Sequence, residues 1–142
     1  MKHERIVALT GLGAAAILAA LPVRAAETIY RYHVEHAQYG DIGTYRNIIE
    51  TDGDHAQIKS ELHIAVKLLG FVVHREDGTR HEEWEGNRLV RFDSSTTVNG
   101  TAIHVHGEAT RDGFVVTRPD GSVVTAPADV HPSNPWSAKV LD

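Results

Sequence analysis

Cysteine is absent from all 142 residues. No disulfide can staple this chain, no thiol can act as nucleophile, and no lipid can be attached at a lipobox cysteine. Stability must therefore come from a packed core. A G-x-S-x-G elbow, a phosphate-cradling glycine loop and a twin-arginine pair are missing too. No helix-period pattern of ordinary length occurs, nor a repeat of fixed period or a low-complexity linker. No basic patch is visible, which argues against a nucleic-acid or anionic-membrane binder.

What is present begins with a leader. Lys2 and Arg5 precede an apolar or small run, Ile6 to Leu21, broken only by Thr10. Pro22 and the small-x-small stretch Val23-Arg24-Ala25 follow. This order predicts a secretory signal peptide over 1–25, helical in its apolar part and cleaved after Ala25. The run is shorter than the roughly 20 residues that span a bilayer, so no stable transmembrane segment is expected after cleavage. The expected compartment is a bacterial periplasm. Losing Lys2, Glu4, Arg5 and Arg24 with the leader moves the formal charge from −5 to −7. The remainder, 26–142, has a length that suits one β-rich domain.

Alternation by two dominates that domain. Over His55–Leu68 the even positions carry Ala56, Ile58, Leu62, Ile64 and Val66, while Gln57, Lys59, Glu61, His63 and Lys67 occupy odd ones. A strand with one dry and one wet face follows, and with it an antiparallel sheet. Tyr30–Glu35, Val90–Val98 and Ile103–His106 alternate likewise, and Phe114–Thr117 and Ser122–Thr125 are short β-rich runs. Turn signals separate these stretches: Asp52-Gly53, Asp77-Gly78, Gly86-Asn87, Asn99-Gly100, Asp112-Gly113 and Asp120-Gly121. The expected fold class is all-β: a curved antiparallel meander sheet or partly open barrel, preceded by the signal helix. Asn134-Pro135 is placed to start a short helix through Trp136 and Leu141.

One segment breaks the rhythm. Leu68 to Val73 is apolar on both parities around Gly70. A strand covered on both faces, or a bulge at Gly70, is the simpler explanation. The other is an exposed apolar lip for a greasy ligand or partner.

Candidate chemistry is sparse. His104 and His106 share one side of a strand, but a metal site needs further ligands. With His33, His36, His63, His74 and His81, they read as solvent-facing histidines, and no metal or cofactor is assigned. His81–Glu85, HEEWE, lacks the second histidine and the helix of a zinc-protease motif. Read as a strand, it sets His81, Glu83 and Glu85 opposite Glu82 and Trp84, an exposed acidic strand carrying one packed tryptophan. Asn99-Gly100-Thr101 is a formal glycosylation sequon that reads more simply as a turn.

Glu82–Gly100, EEWEGNRLVRFDSSTTVNG, and Arg111–Trp136, RDGFVVTRPDGSVVTAPADVHPSNPW, together resemble the exported bacterial proteins grouped as domain of unknown function 6134. Tyr39–Arg46 and Val66–Asp77 fit the same pattern. The resemblance implies a periplasmic, curved antiparallel sheet, and it carries no activity and no catalytic residue. The turn after Trp84 reads Glu-Gly-Asn where such proteins more often have Asp-Gly. They usually continue for several strands beyond the Trp136 region, which implies a truncated relative with an edge open to pairing with another chain.

The function expected from these observations is non-enzymatic binding or envelope maintenance. A lipid-like or other apolar molecule, or a partner strand, would shelter against Leu62, Ile64, Val66, Phe71, Trp84 and Phe92. The sheet's own other half would cover the dry face equally well. Two alternatives stand beside this reading. One is a hydrolase or isomerase using Glu82, Glu83 or a histidine where a carboxylate meets His74 or His81. The other is metal binding by the nine histidines that follow the leader.

Overall fold

The computed structural model describes residues 25–132. The expected signal helix and the expected helix at Trp136 lie outside the described residues. Eight strands follow one another: β1 (Ala26–His36), β2 (Gly40–Asp52), β3 (His55–Leu68), β4 (Phe71–Glu85), β5 (Arg88–Val98), β6 (Thr101–Thr110), β7 (Gly113–Thr117) and β8 (Val123–Ala126). Each pairs antiparallel with the next, so one meander sheet results in the order β1 to β8. The sheet is not closed, and β1 and β8 are its edges.

The alternation read over His55–Leu68 is β3 itself. Its register sets Ile58 opposite Ile49 of β2 and Glu82 of β4, and Ala56 opposite Trp84. Pleating then puts these residues on one side, the core face, and Lys59, His81, Asp93 and His106 on the other, the polar face. Core-face burial is deepest toward one end. Ile58, Trp84, Leu89 and Phe114 are buried there, with Ile49, Ala56, Phe92, Ala109, Val116, Ala126 and Val130 packed around them. Behind β8 the chain turns back, with Val130 N–H donating to the Pro127 carbonyl at 3.2 Å. This brings His131 onto the Trp84 ring, 5.2 Å between centroids. Part of the dry face is thus covered by the chain's own C-terminal extension.

Gly107 has a packing role. A methyl group there would collide with the Phe114 ring, so the missing side chain seats that ring over β6.

Three sequence expectations are corrected. Asp77-Gly78 is not a turn but lies inside β4, paired with His63 and Leu62. The turn is Leu69-Gly70, both at positive φ (51° and 85°), the geometry of a two-residue primed hairpin. Leu68–Val73 is therefore neither a doubly covered strand nor a bulge at Gly70, because it forms the exposed end of the β3–β4 hairpin. The irregularity falls at Val73, skipped between the pairs Val66–His74 and Lys67–Val72. Val90 is the third case. It is the extra residue of a bulge, since Trp84 pairs with Leu89 and Glu83 with Arg91. That insertion switches parity, so odd-numbered Leu89 joins even-numbered Phe92 in the core.

Candidate functional site: a cleft on the polar face

A cavity of about 610 Å³ opens on the polar face. Its floor is a set of cross-strand neighbours, Lys59 of β3, His81 of β4, Asp93 of β5, His106 of β6 and Thr117 of β7. Thr79, Ser95 and His104 form the adjoining row. One rim is the β7–β8 turn, with Arg118, Pro119 and Gly121. That turn is closed by Arg118 N–H donating to the Ser122 carbonyl at 2.8 Å and by Gly121 N–H donating to the Arg118 carbonyl at 2.9 Å. The Asp120 side chain also accepts from the Ser122 N–H at 2.9 Å. The turn therefore holds Arg118 at the mouth of the cleft.

Charge in the cleft is uneven. His106 donates from Nδ1 to Asp93 at 2.6 Å, and its Nε2 lies 3.4 Å from Glu108. The hydrogen bond to Asp93 chiefly raises the His106 pKa above the ordinary imidazole value, with the charges of Asp93 and Glu108 adding to it. Asp93 therefore favours the charged form of the His106 ring. Lys59 adds a second positive charge, though it also meets Glu61 at 3.1 Å. That hydrogen bond, helped by the Lys59 and Arg46 charges, holds Glu61 below the usual carboxylate range. His81 and His104 line the space as further donors. Ala102, Val105 and Pro119 add apolar surface to the lining. Such a lining suits a ligand with an apolar body and an acidic end.

Acid–base catalysis fits less well. Both ring nitrogens of His106 face carboxylates, so neither is turned toward a ligand with which it could exchange a proton. Glu82 is on the opposite face, fully buried, accepting from Trp84 Nε1 at 2.9 Å with Arg80 3.6 Å away. HEEWE is thus not simply an exposed acidic strand. Glu83 is on the polar face, but it faces Arg91 at 3.9 Å and does not line the cleft. The carboxylate opposite His81 is Asp93 instead. His74 sits away from the cleft, 3.8 Å from Glu76. Among the described residues, no group of three or more histidines and carboxylates is placed to hold a metal ion.

The residues singled out from the dry-face pattern separate into three places. Leu62 and Ile64 run along the core face of β3, Leu62 beside a shallow depression with Tyr45 and Gly78; Val66 continues that row onto the β3–β4 hairpin. Trp84 is in the core, and Phe92 packs against it with Arg80 over its ring at 5.7 Å. Phe71 stands at the hairpin end, three-quarters exposed. The sequence does not point to the cleft, because each of its histidines looks solvent-facing by itself. The cross-strand row that gathers them depends on register, which no single strand reveals.

A family model described as domain of unknown function matches residues 32–142. The chain belongs to the DUF6134 family. No curated protein and no solved structure matches it. Nearly all of the sheet falls inside the matched span, including every cleft residue, so the cleft is built within the DUF6134 domain.

Proposed function

We propose that this DUF6134 protein is an exported, non-catalytic binding protein of the periplasm, and that its polar-face cleft holds a small lipid-like molecule with an acidic group. The observation that carries this reading is the cleft itself. The protein is acidic overall, with a formal charge of −5, yet this cavity is lined by Lys59, Arg118 and His106, whose pKa is raised, with Asp93 as the one carboxylate among its lining residues. An excess of cationic side chains over carboxylates in that lining, against the net charge of the chain, favours an anion there. The leader supports export. Among the described residues β1 is an edge of the sheet, where a partner strand would add.

Native mass spectrometry with decanoate and with decyl phosphate tests the reading. Saturable one-to-one binding of either is expected, weakened at least tenfold by Arg118→Glu. No saturable binding of either compound would refute it.

A further inference from the structure

The β3–β4 hairpin is longer than its neighbours. The β2–β3 ladder stops at Gly43–Ile64 and the β4–β5 ladder at Glu76–Val98. Residues 65–75 therefore project beyond the sheet as a two-stranded arm, tied at its base by Asn99, whose side chain accepts from Arg75 N–H at 2.8 Å. The end of this arm is apolar on every side. Leu69 is 91% exposed and Phe71 75%, and Leu68, Val72 and Val73 are each about half exposed. Folding offers no reason for this composition, since none of these side chains reaches the core. Leu69 is also a poor choice for its backbone, because an L-residue with a side chain is disfavoured at φ 51°.

Charge on the arm is one-sided. Residues 65–75 hold Lys67, His74 and Arg75 and no carboxylate; the carboxylates Glu76 and Asp77 follow at the base of the arm, Glu76 3.8 Å from His74, so Lys67 and Arg75 are the charges nearest its end. The sequence shows no basic run because Lys67 and Arg75 are far apart in it. The hairpin brings them to one collar below the apolar end. A protein groove would require one apolar face, whereas an end exposed all round suits an apolar medium that surrounds it. A cationic collar then lies where lipid phosphates would be. Tyr39, in the adjacent β1–β2 turn at the same end of the sheet, adds an aromatic residue suited to an interface.

We propose that the β3–β4 arm is a membrane anchor, its Leu69–Phe71 end entering the interface of an anionic bilayer while Lys67 and Arg75 meet lipid phosphates. This is independent of what the cleft binds. The bilayer contact is shallow and reversible, since a few side chains and two cations give only modest affinity.

The test uses the full chain with Phe71→Trp, and vesicles of phosphatidylethanolamine and phosphatidylglycerol with or without brominated acyl chains. Emission from the introduced indole, taken as the difference from wild type, should shift to the blue on vesicle addition and be quenched by bromine. Adding Leu69→Asn in that background should lower the vesicle affinity reported by this probe by about tenfold, and phosphatidylcholine vesicles should also bind the arm more weakly. Because the readout is at position 71, attachment through residues 1–24 does not imitate it. Probe emission that ignores vesicles would overturn the proposal, even if the protein sediments with them. So would an equal response with Leu69→Asn, or a blue shift that depends on protein concentration without lipid, which would assign the arm to a second copy of the chain.

Discussion

His106 and Asp93 are directly opposed across β6 and β5, with Nδ1 2.6 Å from the carboxylate. The pair lies on the cleft floor. NMR titration should find the His106 pKa above the ordinary imidazole value, and Asp93→Asn should move it down. The pH dependence of stability follows in sign. A histidine whose folded pKa is raised stabilises fully below its unfolded value, and that contribution is lost as pH rises through the folded pKa. Urea midpoints of wild type and His106→Gln should therefore converge as pH is raised across that window. A gap that widens with pH would contradict the assignment.

The small core makes each of its residues costly to remove. Ile58→Ala should destabilise by about 2–4 kcal/mol in urea unfolding, as a large-to-small change at a fully buried site. Leu89→Ala should fall in the same range, although its parity disagrees with that of Phe92, because the Val90 bulge turns it inward. A surface-like value at Leu89 would show that the bulge is misplaced.

Gly107 and Phe114 are expected to be coupled. Gly107→Ala should cost about 1–3 kcal/mol, as overpacking does, because the added methyl group meets the buried ring. Combining it with Phe114→Leu should cost less than the sum of the two single changes, since the smaller side chain makes room. Strict additivity in the double-mutant cycle would argue that the ring is not held there.

Leu69 carries a conflict between fold and use. Leu69→Asn would create an Asn-Gly pair at the positive-φ turn and should raise stability by about 0.5–1 kcal/mol. The same substitution should weaken vesicle binding. A loss of stability would mean that leucine is there for packing.

Much of this architecture is legible in the residues. The alternation over His55–Leu68 marks β3, and Asn99-Gly100 marks a hairpin, because period two and positive-φ turns leave local signatures. Other features depend on competition between distant parts. Asp77-Gly78 looks like a turn, but Leu69-Gly70 closes the hairpin, and the resulting register carries Gly78 through the middle of β4. A leucine at positive φ gives no local sign of a turn. Parity places Glu82 beside Trp84, and that neighbourhood is the available clue to its burial; the acidic composition of HEEWE points the other way. The cleft is the least legible. His81, Asp93 and His106 come from three strands and meet only when two hairpin registers are set together.

The most direct test of the central claim is amide chemical-shift mapping on the labelled protein during titration with decanoate. The account predicts saturable shifts concentrated at Lys59, His81, Ala102, His106 and Arg118, around the polar-face cleft. Shifts centred instead on Leu62, Ile64 and Val66 would place the ligand on the opposite face and contradict it.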